Sequence, residues 1–176
     1  MILSRSVATW GNTVAAVLKD CDIPAHVESN TGYFSSYEIQ VILSMLRILD
    51  NPLQDIPMAA VLASPIVGMD DEELAQIRSA FKGVSFAQAA LSAMAGENGY
   101  EDEKLKAFAL VFERLRGAVA DTPIHELLYM MLDETGFYRY ASAMPAGKRR
   151  RQNIDMLIEM AAAYEKTSYK GLFHFV

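Results

Sequence analysis

The sequence predicts a mainly α-helical protein: a helical body preceded by a short strand–helix–strand segment. Three observations carry this reading. Apolar residues recur at helical spacing through most of residues 35–176. Cap residues punctuate those runs, with Ser, Thr or Asp before them and Gly after. Short β-type runs flank a helix only near the N terminus. Hydrophobic residues make up 52% of the 176-residue chain, so a substantial core can be buried. The charged share of 22% is ordinary and argues against disorder.

The elements follow in order. Ile2-Leu3-Ser4 reads as a very short strand. From Thr9 to Asp20, Val14, Val17 and Leu18 keep helical spacing until Pro24 intervenes. Ala25-His26-Val27-Glu28 reads as a second short strand. Strand–helix–strand is the pattern of a parallel unit, and two strands make a poor sheet alone. This segment is therefore expected to belong to a larger sheet, and the chain to be a fragment of a longer protein.

Ser35 and Glu38 have the spacing of a capping box. Ile39, Ile42, Leu43, Met45, Leu46 and Leu49 follow, apolar nearly all round, which predicts a central core helix ending at Asn51-Pro52. Asp55 opens a short helix with Met58, Val61 and Leu62 that stops before Pro65. Gly68 marks a turn, and Asp70 and Asp71 start the next helix at its electropositive end. Ser85 caps a helix through Ala95, and Gly96 to Gly99 form a loop. A long helix carries Leu105, Phe108, Leu110, Phe112, Leu115 and Val119. Thr122-Pro123 reads as a cap followed by proline at the first helical position. That helix carries Leu127, Leu128, Met131 and Leu132 and ends at Gly136. After a break at Pro145-Ala146-Gly147, the last long helix runs from about Arg149 to Lys166, with Ile154, Leu157, Ile158 and Ala161 on one face. A further helix begins near Ser168.

Several functions are excluded or disfavoured. The chain has no GxxxxGK[ST] phosphate loop, paired-cysteine metal spacing, HExxH or GxSxG motif. His26, His125 and His174 are scattered, and no carboxylate pair stands out for acid–base chemistry. No apolar run reaches membrane-spanning length, and no signal peptide is evident. The lone Cys21 excludes an internal disulfide framework and fits a cytoplasmic location. The net charge of −6 means that any attraction for nucleic acid must be local. Lys148-Arg149-Arg150-Arg151 is the one dense cationic run, at a helix start where cations are electrostatically misplaced. It reads as a clamp for a DNA backbone, a contact for an acidic partner, or a solvated helix start, with Arg151 and Asn153 as structural alternatives. Trp10, Tyr33 and Phe34 could stack on bases, but Tyr33 and Phe34 are read as core residues.

The order of motifs carries a resemblance. Ile2-Leu3-Ser4-Arg5-Ser6 resembles the "ILxRS" motif of superfamily-1 DNA helicases of the UvrD/Rep type. Ile23-Pro24, Gly32-Tyr33-Phe34 with Glu38, Leu46-Arg47-Ile48-Leu49-Asp50-Asn51-Pro52 and Val61-Leu62-Ala63-Ser64-Pro65-Ile66-Val67-Gly68 resemble the segments that follow it there. Asp50 to Pro57, Met144 to Lys148, Arg151 to Ile154 and Tyr169 to Phe173 are similar to one branch, the large subunit of the AddAB/RexAB helicase–nucleases. The resemblance implies that residues 1–34 are part of the second motor domain, 2A, and residues 35–176 a helical 2B-type accessory domain.

It further implies a role in unwinding during double-strand break repair and recombination, with duplex DNA or a duplex–single-strand junction as partner. The partner nuclease subunit of the heterodimer is the alternative docking target. The family's phosphate loop and nuclease domain lie outside this sequence. ATP and magnesium are therefore expected in the parent protein and no cofactor in this segment, which should neither hydrolyse ATP nor cut DNA. Arg5 corresponds to the arginine that reaches the ATP γ-phosphate. Gly68 and Met69 lie in a turn that in related helicases offers backbone amides to duplex phosphates. Val67 and Asp70 depart from that motif, and acidic Asp70 and Asp71 oppose phosphate there.

Overall fold

The computed structural model describes residues 10–24, 32–166 and 171–176. Helix accounts for 72% of the described residues, and no strand occurs among them. Both expected strands, Ile2–Ser4 and Ala25–Glu28, lie outside the described residues, as do Arg5 and His26. The chain divides into two compact units, residues 1–36 and 37–176. In the first, α1 spans Gly11–Asp20, and Tyr33 and Phe34 meet edge to face at 4.9 Å. Phe34 is exposed, contrary to its expected place in a core.

The second unit is built around α2, Tyr37–Asp50. Its residues from Glu38 to Leu49 are buried at all positions except Gln40 and Arg47, as an all-round apolar helix requires. Asn51 ends it by accepting the Leu53 amide at 3.0 Å, a local side-chain turn that competes with further helix. Helix α3, Asp55–Ala63, packs on α2. Helix α4, Asp71–Ala80, starts from a full capping box between Asp70 and Glu73. Helix α5, Phe86–Met94, starts from a second box between Ser85 and Gln88. Asp55 also accepts the Ala87 amide at 2.9 Å, so α3 helps to satisfy the exposed donors of α5. A 3-10 turn, Glu97–Gly99, leads to α6, Glu103–Ala118, capped by Asp102.

Helix α7 spans Ile124–Thr135 and closes at Gly136, whose φ of 65° suits glycine. It begins one residue later than expected, and Thr122 does not cap it. Pro123 occupies the cap position without a side-chain bond, and Glu165 accepts the His125 amide at 3.1 Å instead. A carboxylate suits the positive end of a helix dipole. Helix α8, Phe137–Ala143, follows at once. Helix α9, Gly147–Tyr164, packs on α2, α7 and α8, and α10, Leu172–Phe175, returns to α2.

The α8–α9 turn is tight. A Cβ on Gly147 would lie 1.9 Å from the Ser142 carbonyl oxygen, a backbone atom that cannot move aside cheaply. Gly147→Ala should therefore cost about 1–3 kcal/mol through forced backbone displacement. Gly117→Ala, where nothing lies within 4 Å, should be neutral to mildly stabilising by about 0.4–1 kcal/mol. Urea unfolding of the two variants checks the contrast; equal stability would contradict the packing at Ser142.

Candidate functional site

Helix α9 delivers the basic run. Its first turn leaves from Ala146, held at φ 59°, and the Ala146 carbonyl accepts the amides of Arg149 and Arg150. The run then divides by direction. Lys148, Arg149 and Arg151 are exposed, whereas Arg150 turns inward. Arg150 Nε donates to the Pro145 carbonyl at 3.0 Å, and Nη1 donates to Glu38 Oε2 at 2.5 Å. Asn153 Nδ2 donates to Glu38 Oε1 at 2.7 Å. Both carboxylate oxygens of Glu38 are thus engaged across 112 and 115 residues of sequence.

This arrangement replaces the expected Ser35–Glu38 capping box. Glu38 lies on the inward side of α2, its side chain only 2% exposed, and an unpaired carboxylate there would be costly. Burial alone would raise its pKa. The Asn153 bond, the Glu38 backbone amide and the Arg150 guanidinium outweigh this and hold the carboxyl below its ordinary value. Of the two residues weighed for a structural role, Asn153 fills it, while Arg151 is exposed and Arg150 takes the inward position.

The Ser64–Asp71 turn has a different character. Ser64 Oγ accepts the Ile66 amide at 3.2 Å, and the Ser64 carbonyl accepts those of Val67 and Gly68 at 3.1 and 2.7 Å. The Met69 amide goes to the Leu62 carbonyl at 3.0 Å, and the Asp70 amide to Glu73 at 2.8 Å. The Met69 side chain is buried. Lys104 covers the turn, donating to the Gly68 carbonyl at 2.9 Å and to Glu73 at 2.6 Å. The Lys104 bond, followed by the Asp70 amide, holds the Glu73 carboxyl below its ordinary value. The amides of residues 66–70 are therefore committed to the turn itself, which gives it a structural role.

The described histidines carry no catalytic grouping. His125 Nδ1 lies 2.6 Å from Glu165 Oε2 and ties the start of α7 to the end of α9, and the His174 ring meets Phe173 edge-on at 5.2 Å. Among the described residues no cluster of His, Cys, Asp and Glu could hold a metal, and no helix is long and apolar enough to cross a membrane. The pairing of Glu38 with Arg150 had no local sequence signal. Only the "RxN" spacing of Arg151 and Asn153 pointed to that end of α9.

Comparison with known proteins places this helical body. No family model matches the chain. It is 38% identical over 178 residues to the large subunit, AddA, of the ATP-dependent helicase/nuclease of Oceanobacillus iheyensis. It is 40% identical over 178 residues to that of Anoxybacillus flavithermus, and 40% identical over 180 residues to that of Bacillus cytotoxicus. Each match takes in the whole of this chain but only 14–15% of the relative. The class is therefore that of the ATP-dependent helicase/nucleases. Within it, the chain belongs to the AddA family and is homologous along its full length to one segment of those proteins.

Proposed function

We propose that the chain is the accessory, 2B-type region of an ATP-dependent DNA helicase/exonuclease subunit, guiding duplex DNA and modulating unwinding in double-strand break repair. The supporting observation is the exposed trio Lys148, Arg149 and Arg151 at the start of α9. Its base is fixed by Glu38, Arg150 and Asn153, so the cations project from a rigid helix end. In a chain of net charge −6, such a cluster concentrates the attraction for phosphate within about a Debye length, about 8 Å at physiological salt. The turn at Gly68 and Met69 contributes less, because its amides are engaged. In this reading the longer protein holds ATP and magnesium in the cytoplasm, and Arg5 reaches the γ-phosphate.

The test is binding of a forked duplex across a salt series. Arg149→Ala with Arg151→Ala should weaken binding and flatten the slope of log affinity against log salt by about 0.9 for each phosphate no longer neutralised. Stability should change little, since exposed cations contribute about 0–1 kcal/mol. An unchanged slope would leave the run a solvated helix start.

A specific observation favours a second reading, an interaction module for the partner nuclease subunit. Ile56 is 84% exposed and Leu53 lies exposed just before it. Ala60 and Ala63 continue the outer face of α3 at helical spacing, and apolar stripes of this kind suit protein contacts.

A further inference from the structure

Two exposed tyrosines stand at the same end of the bundle as the cationic trio. Tyr37 is the first residue of α2, next to Glu38, and Tyr140 sits on α8, one tight turn before α9. They are 43% and 47% exposed. The Arg150 side chain joins the three elements, bonded to Glu38 on α2 and to the Pro145 carbonyl between α8 and α9. The Tyr37 hydroxyl is held above its ordinary pKa by partial burial and then by Tyr140, against the pull of Arg150, so the three side chains are within electrostatic reach.

We propose that Tyr37 and Tyr140, beside Lys148, Arg149 and Arg151, form a stacking platform for the bases of single-stranded DNA. The inference rests on the nucleic-acid reading above and narrows it to a strand form. Stacking needs an exposed aromatic face, and only an unpaired strand offers base faces along its length. Tyrosine suits the task, since its ring is large and has only two side-chain torsions to fix. Tyr140 is steadied from behind by Phe137, whose buried ring lies nearly parallel to it, 6.3 Å away at 16°. The cations supply the complementary attraction for the strand's phosphates. A ring pair flanked by cations therefore fits an unwound strand better than an intact duplex, whose bases are stacked on one another.

The 176-residue chain can be titrated against a fluorescent oligothymidylate of about 20 nucleotides and against a blunt duplex of equal length. The parent should prefer the single strand. Tyr37→Ala with Tyr140→Ala should weaken single-strand binding at least about tenfold while leaving the salt slope and helical content unchanged. Tyr37→Phe with Tyr140→Phe should retain most of the affinity, because the ring face is kept. The proposal falls if the alanine pair binds the oligonucleotide as tightly as the parent, or if the phenylalanine pair is as weak as the alanine pair. It also falls if the parent prefers the duplex, or if polyglutamate competes as well as an oligonucleotide of equal charge. These results leave the broader nucleic-acid reading standing only where the Arg149→Ala, Arg151→Ala variant still flattens the salt slope. A parent that binds neither strand form at low salt removes both.

Discussion

Arg150→Ala is expected to lower the stability of the helical body by about 3–5 kcal/mol, the usual cost of stranding a buried charge. Its partner Glu38 has a side chain only 2% exposed, and Arg150 itself is 24% exposed. The Asn153 bond alone would then face a full carboxylate in the core. Glu38→Gln should cost less, because Arg150 can turn its guanidinium toward water and the amide oxygen can still accept from Asn153. Replacing Glu38 and Arg150 together with methionine should recover much of the loss, since an apolar pair needs no compensation. Urea unfolding of the three variants gives the comparison. A loss below about 1 kcal/mol for Arg150→Ala would mark the pair as no better than a surface ion pair.

The same pair sets an acid limit. The folded Glu38 carboxyl lies below its ordinary pKa, so the folded state favours its charged form. That contribution is complete above the unfolded value of about 4.3 and is lost as pH falls through the lower folded value. Glu38→Gln should lack this component of acid sensitivity.

Arg5→Ala, made in a helicase/nuclease large subunit that contains this segment, is expected to slow ATP turnover by about a thousandfold or more. DNA binding should stay close to that of the parent. The expectation follows from the "ILxRS" motif and from the chemistry of guanidinium, which stays charged and offers forked donors to phosphate oxygens. Arg5→Lys should rescue little, because an ammonium cannot present the same fork. DNA-stimulated ATP hydrolysis is the measurement, and parental turnover by the alanine variant would remove Arg5 from the mechanism.

What was legible in the sequence was chiefly local. Asp70 with Glu73, Ser85 with Gln88, and Gly136 each announced a helix end within a few residues, and each cap is in place. The core face of α9, with Ile154, Leu157, Ile158 and Ala161, followed from period alone. Helix α8 was missed because it has only seven residues, pressed between the Gly136 cap and the Pro145 turn. Ser35 and Glu38 misled for the opposite reason. A valid local spacing was overridden by partners more than a hundred residues away. The inward turn of Arg150, rather than Arg151, was likewise unreadable, since four adjacent cations look alike until the position of a buried acid chooses among them. The Gly68 turn was located correctly, but its amide bonding depends on the Ser64 hydroxyl and the Leu62 carbonyl acting together.

The reach of Glu38 to Asn153 also bears on how the chain is made. A ribosome adding about 5–20 residues per second delivers Asn153 about 6–23 s after Glu38. Through that interval α2 has left the tunnel with its apolar faces uncovered and its one inward acid unmatched. The acid is then an advantage, because a charged carboxylate keeps the naked helix from settling into an early, wrong burial. Only the arrival of α9 cancels that charge and lets the helix be enclosed, so completion of the bundle is timed by its last long element.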